Sequence, residues 1–292
     1  MNEDSLAKLR LAAVAWETLG TPARILAALR AEGLSSLEKA AGAQNSEDHR
    51  RSNECARDLL DRGVSVLIYG QAGYPAALAE LRSPPPILFY IGDPLILDYP
   101  AVGMCGSRSA SDAGLRAAQA CGTAVARGGL TIVSGYARGV DTETHLAALR
   151  ADGRTVVVLA EGIVHFKVKR AFADDFDGAR VLILSQFPPR QPWSAGAAMT
   201  RNAVIAGLGR ALVVIEAHEK GGTLNAGLQA LAMRRPVLAL EFESSATPEG
   251  NSILIARGAI PVQRPAQLRE VVATLKDPAG GSDDQLSLAL LS

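Results

Sequence analysis

From residue 101 onward, strand-sized apolar runs alternate with longer segments in which apolar and small residues recur at helical spacing. The runs are AVGMC (101–105), LTIVS (130–134), TVVVLA (155–160), RVLILS (180–185), ALVVIE (211–216) and PVLAL (236–240). They are nearly continuous Val, Leu and Ile, as expected of strands covered on both faces. Between them lie stretches such as DAGLRAAQACGTAVARGG and DTETHLAALRADG. This alternation predicts an α/β fold with a doubly wound, mostly parallel sheet. Residues 4–63 read differently, as a small domain of helices. Thr21-Pro22 opens one helix and Gly33 closes it. The run VSVLIY (64–69) and the strand before Asp93 flank Pro84–Pro86, which is incompatible with helix interior and marks a junction. The predicted organisation is therefore a helical N-terminal domain (1–63), connecting strands (64–92), the α/β domain (93–265) and a short tail (266–292) with one short helix.

Composition narrows the class. Hydrophobic residues make up 48% of the 292 and charged residues 21%, which permits a sizeable core and excludes a largely disordered chain. No apolar run approaches the ~20 residues of a bilayer span, and the polar start MNEDSLAKLR does not read as a signal peptide. A cytoplasmic protein without membrane contact is the expectation. Cys55, Cys105 and Cys121 are widely separated, which argues against a disulfide framework and against a zinc site. No metal or cofactor is expected. The net charge is zero, with 30 Lys+Arg against 30 Asp+Glu, so a bulk polycation is excluded. The balance is uneven, however: residues 101–265 hold 18 basic and 13 acidic residues, and the flanks hold 12 and 17. The middle segment can supply a basic face for an anionic partner.

The loops that carry candidate chemistry follow the strands, where ligands of open α/β sheets bind. After the first run of this domain come Gly106-Ser107-Arg108, then a helix from about Ser111 or Asp112. A Gly-Ser turn before a helix offers N–H groups to an anion, and Arg108 adds a two-pronged phosphate grip. The second loop, Ser134-Gly135-Tyr136-Ala137-Arg138-Gly139, leads into a helix that Asp141 is placed to cap, with His145 one turn on. A serine–histidine–aspartate reading of Ser134, His145 and Asp141 is weak, because all three crowd one segment and no G-x-S-x-G elbow exists. The third loop holds Phe166 among Lys167, Lys169 and Arg170, a pattern suited to single-stranded nucleic acid. Arg201 and Asn202 are expected just before an apolar helix, and Gly221-Gly222-Thr223 opens another anion-receptive helix.

In this order the motifs GYPAALAELRSPPPILFYIGDP, GSRSAS, LTIVSGYARGVDTETHLAAL, SQFPP, TRNAVIAGL, ALVVIEA, GGTLNAG and GNSILIARGAIPV make the chain resemble the DNA-processing protein A (DprA/Smf) family, over roughly Gly73 to Val262. The resemblance implies an extended Rossmann-like domain and a non-enzymatic homodimer. It implies that the dimer binds and protects single-stranded DNA and delivers it to the RecA recombinase in natural transformation. By position, Arg108 matches the family's Gly-Ser-Arg arginine, a DNA contact. Ser134, Gly135, Arg138, Gly139, Asp141 and His145 match its S-G-x-A-x-G-x-D-x-x-x-H stretch, and Arg201 and Asn202 its R-N-x-x-I motif. The implied DNA-binding set is Gly106, Ser107, Arg108, Ser134, Gly135, Arg138, Gly139, Lys167, Lys169, Arg201, Asn202, Gly221, Gly222 and Thr223. The chain departs from the pattern in places. The usual Tyr-Pro after the third strand is replaced near Phe166–Val168, and the usual Ser-Gly before the fifth-strand helix reads Gly221-Gly222-Thr223. A winged-helix module is too large for the tail.

Two rivals use the same loops. A nucleotide phosphoribohydrolase of the lysine-decarboxylase-like fold needs an acidic residue after its Gly-Thr, but Asn225 and Ala226 stand there, and neither is a general base. A sensor of a nucleotide-derived ligand would use the loops to bind phosphate without a length-dependent strand contact.

Overall fold

The computed structural model describes residues 3–242 and 247–276. Four helices come first: α1 (Glu3–Thr18), α2 (Pro22–Glu32), α3 (Ser35–Gly42) and α4 (Ser46–Asp61). The start and stop of α2 are local chemistry. The Thr21 side chain accepts from the Arg24 N–H, Pro22 stands in the first turn, and Gly33 closes the helix at φ 62°. Two strands follow, β1 (Ser65–Ile68) and β2 (Ile87–Ile91), with the one-turn α5 (Ala76–Ala79) between them.

Next come β3 (Ala101–Cys105), α6 (Asp112–Arg127), β4 (Thr131–Ser134), α7 (Val140–Arg150), β5 (Thr155–Val158) and β6 (Val181–Ser185). The chain continues through α8 (Ala195–Leu208), β7 (Leu212–Val214), α9 (Gly222–Ala232), β8 (Val237–Leu240), α10 (Glu249–Ala256), β9 (Ile260–Val262) and α11 (Pro265–Lys276). The rest of the expected tail lies outside the described residues.

All nine strands join one sheet in the order β1-β2-β6-β5-β4-β3-β7-β8-β9. Pairing is parallel from β6 to β9, with Gly103 opposite Leu212 and Thr155 opposite Val181. The strands of the connecting segment extend this sheet: β2 runs antiparallel to β6, Phe89 opposite Ser185, and β1 runs antiparallel to β2. The fold is thus α/β, Rossmann-like, with an antiparallel pair added at one edge. Successive strands step outward from β3 to β6, and the chain then returns to start again at β7 on the other side of β3. The sheet therefore changes direction between β3 and β7, which opens a crevice above their carboxyl ends.

Alternating residues of each strand feed two apolar layers. One layer joins Val133, Val156, Val158, Leu182, Leu184 and Val214 to α5, α8, α9 and α10 through Leu78, Ile205, Leu224 and Leu254. The opposite face is divided. Its β1-side half, including Ile68, Phe89, Val157 and Ile183, packs against Leu9, Ile25, Leu37 and Leu59 of the N-terminal helices. Its β9-side half, including Met104, Ile132, Val213 and Leu238, packs against α6, α7 and α11. The N-terminal helices therefore share a core with the sheet.

Candidate nucleic-acid interface

Every loop singled out above, except part of the third, converges on the carboxyl ends of β3, β4, β5 and β7. Two adjoining cavities open there. The first, of about 630 Å³, is lined by Arg108, Arg138, Lys167, Lys169, Trp193 and Arg201 among others. The second, of about 470 Å³, sits over the β3–β7 crevice between Gly106–Ser109, α8 and the start of α9. Arg108, Ala137, Trp193 and Arg201 line both. A larger cavity of about 1050 Å³ between α6, α11 and the β8–β9 edge lies away from these loops.

The loops are locked together by backbone contacts. The Val140 N–H donates to the Ser107 carbonyl, joining the first loop to the start of α7. Gly139 makes this approach possible: it holds φ 78°, and a Cβ there would lie 2.4 Å from the Ser107 oxygen. Gly106 packs against Val140 just as tightly. Ser107 is buried, with its hydroxyl 2.9 Å from His218 Nε2. Thr223 Oγ1 donates to the Gly106 carbonyl at 3.0 Å, which ties α9 to the same loop. Asn202 Nδ2 donates to the Gly222 carbonyl at 3.4 Å.

Beneath the cavities is a buried polar layer. Ser134, Gly135 and Arg201, expected among the DNA contacts, are buried in this layer, with Arg201 also lining both cavities. Ser134 is fully buried and donates to the Met104 carbonyl. Arg201 is 6% exposed, and its Nη1 donates to the Val158 carbonyl at 2.8 Å while Nε has no partner among the described residues. A Cβ on Gly135 would lie 1.9 Å from Arg201 Nη1 and 2.4 Å from Asp141 Oδ2, so glycine lets both charges close over the chain. The expectation that Arg201 and Asn202 precede their helix is also corrected. α8 begins at Ala195, where the Ser194 side chain caps it, and both residues fall inside it.

Asp141 does not cap α7. Gly139 occupies the cap position, and the Asp141 carboxylate turns back to accept from the Ala137 N–H at 3.3 Å. Burial pushes the Asp141 carboxyl up from its ordinary pKa, opposed by the Arg201 charge; burial pushes Arg201 down, opposed by Asp141. His145 is a packed histidine: its ring bonds Thr155 Oγ1 and the Gly135 carbonyl, and burial lowers its pKa to about 4. With Ser134 engaged by Met104 and His145 by Gly135, the three residues of the serine–histidine–aspartate reading do not form a relay.

The rim above this layer carries the accessible charges. Arg108, Arg138, Lys167 and Lys220 are exposed, and none has an ion-pair partner among the described residues. Arg108 instead lies over the Trp193 ring, 5.4 Å from guanidinium carbon to centroid. Lys169 is half-buried and tied to Tyr136: its ammonium donates to the Tyr136 carbonyl and sits 4.0 Å from the ring centroid. Burial lowers the Lys169 pKa, partly offset by Asp141 and Glu161.

The helix starts differ in a way the sequence did not announce. At α6, the carboxylate of Glu216 accepts from the Ser111 N–H and hydroxyl, and Ser111 Oγ in turn accepts from Gly114. An internal anion therefore occupies the α6 terminus expected to receive phosphate. At α9, Gly221 and Gly222 are exposed and no side chain caps the helix.

Trp193, Lys220 and Glu216 are the residues that sequence reasoning missed. Trp193 stands alone after a proline in an irregular stretch, and Lys220 follows an acidic neighbour. Only the proximity of β7 to β3 shows what Glu216 does.

The fold and these loops define a Rossmann-like protein with a cationic rim. Residues 65–273 match the family model described as DNA recombination-mediator protein A, and the chain belongs to that family. It is 34% identical over 224 residues to Protein Smf of Synechocystis sp., an alignment covering 71% of this chain and 53% of that protein. It is 34% identical over 168 residues to DNA processing protein DprA of Streptococcus pneumoniae, covering 57% and 59%. The chain thus spans between half and two thirds of the length of these curated relatives. The crystal structure of DNA processing protein A from Streptococcus pneumoniae superposes with TM-score 0.69 at 26% identity, over 91% of this chain and 96% of that one. DNA processing protein A from Helicobacter pylori, in a structure concerned with its single-stranded DNA binding mode, superposes with TM-score 0.62 at 22% identity, over 73% and 95%, which shows the shared fold. No helix among the described residues is long and apolar enough to cross a membrane.

Proposed function

We propose that the rim above β3, β4, β5 and β7 binds single-stranded DNA, and that the protein processes DNA by binding it rather than by breaking bonds in it. One observation carries this reading. Arg108, Arg138 and Lys167 are exposed around a single cavity, with no described carboxylate paired to any of them. Unpaired cations around a groove hold a polyanion through counterion release. Exposed Gly221 and Gly222, with Lys220, extend the receptive surface across the second cavity. Arg201 contributes from below, holding Asp141 and the β5 end in place so that the loops keep their shape. Family membership supports delivery of the bound strand to the RecA recombinase, action as a homodimer and residence in the cytoplasm.

The test is a titration of oligothymidylates of increasing length, with duplex controls, at several salt concentrations. The reading expects affinity that rises with length, falls steeply with salt and favours single strands. Length-independent, saturable binding of a mononucleotide with little salt dependence would replace it with the small-ligand reading.

A further inference from the structure

We infer that Trp193 is a stacking platform for an unpaired nucleobase, making the shared wall of the two cavities a base-binding subsite as well as a phosphate-binding one. This rests on the DNA reading above and adds the chemistry that would discriminate bases from bare backbone. Trp193 is 50% exposed, and Met199, 48% exposed, lies nearby on the second cavity. Of the five large apolar side chains exposed among the described residues, these two line that cavity. An indole left half in water at the mouth of a cavity, with the Arg108 guanidinium over it, keeps exposed apolar surface, whereas most aromatic rings of the chain pack against the core.

Its place in the chain is set by the start of α8. Trp193 directly precedes Ser194, whose side chain accepts from the Ala197 N–H and so sets the start of α8. On one side, the Arg108 guanidinium lies over the ring. That pairing places a phosphate-gripping group beside an aromatic face. A nucleotide whose phosphate Arg108 holds carries its base about one sugar's width away, within reach of the indole. Stacking accepts any base, because every base has a π face, and it requires the base to be unpaired. The subsite therefore favours single strands over duplex without reading sequence.

The experiment compares the parent with Trp193→Ala and Trp193→Phe, titrating each with an oligothymidylate and with an abasic oligomer of equal length. Trp193→Ala is expected to weaken oligothymidylate binding roughly five- to 150-fold, the range for one base stacked on an aromatic ring. It should leave the abasic oligomer nearly unaffected, and Trp193→Phe should restore much of the loss. The chain has two tryptophans, so Trp16→Phe leaves Trp193 as the sole indole reporter. Its fluorescence should be quenched by oligothymidylate and not by the abasic oligomer. Equal losses for both oligomers would mean that Trp193 only positions Arg108, which overturns the stacking role and leaves the DNA reading standing. A parent that binds neither oligomer overturns the DNA reading itself.

Discussion

The N-terminal helices and the carboxyl rim of the sheet are both rich in Arg and Lys, yet they use those charges in opposite ways. In the helices most cations close on a neighbouring carboxylate. Lys8 pairs with Asp4, Lys39 with Glu32, Arg50 with Glu47 and Glu54, and Arg62 with Asp58. Even Arg190, on the sheet side, reaches across to Asp58. On the rim, Arg108, Arg138, Lys167 and Lys220 face outward without such partners among the described residues. A surplus of five positive charges in the middle of the chain is therefore a poor guide to binding. What separates the regions is whether a carboxylate lies within reach, and that depends on the fold.

This contrast can be broken or sharpened by experiment. The largest effect is expected below the rim. Arg201→Ala removes the charge facing buried Asp141 and the donor to Val158, and is expected to cost about 3–5 kcal/mol in denaturant unfolding. A stable variant with impaired binding would mean that Arg201 touches the ligand directly.

Next comes a pH effect centred on His145. The folded state holds the ring neutral down to about 4, whereas the unfolded chain protonates it near 6.5. The unfolded state then binds the extra proton, so stability falls as pH drops from 6.5 towards 4 and is unaffected by this group above that window. The loss approaches about 3 kcal/mol at the acid end. His145→Gln should lack that part of the slope when unfolding is followed across this range.

A smaller effect is expected on the rim itself. Arg108→Ala should leave the unfolding midpoint unchanged, weaken oligothymidylate binding roughly tenfold for every sequence tested, and lower the salt slope by about one. Equal affinity in parent and variant would remove Arg108 from the site. The smallest effect belongs to the helices. Arg50→Ala removes an exposed, fully paired cation and should change neither DNA affinity nor its salt dependence, a flat response that anchors the comparison.

Much of the architecture is legible in the chain because both-face burial leaves a strong signal. The run at 101–105 is β3, the runs at 155–160 and 211–216 contain the shorter β5 and β7, and Thr21-Pro22 and Gly33 set the limits of α2. The start of α8 was not legible. AGAAMT offers small residues with no clear face, so the helix begins earlier than the apolar run after Arg201 suggests. The role of Asp141 was misread for a related reason. An aspartate near a helix start looks like a cap, but Gly139 had already turned the chain, and the carboxylate was drawn to Ala137 and towards Arg201. Among the candidate residues, the fold brings the loops together, apart from part of the third, but sorts them by depth. Arg108, Arg138 and Lys167 reach the surface, while Ser134, Gly135 and Arg201 support it from beneath. Sequence spacing carries no information about depth of this kind, because it is decided by which strand lies alongside which.

The seating of Glu216 against Ser111 and Gly114 has a consequence for the route a bound strand can follow. A side chain docked at that terminus is a resident competitor: it already takes the Ser111 N–H and hydroxyl that an outside phosphate would need. On the proposed reading, a bound strand's phosphates would pass from the opening of α6 towards Arg108 on one side and the exposed glycines before α9 on the other. A strand bound that way would cross the indole, because Trp193 lines both cavities between those two points.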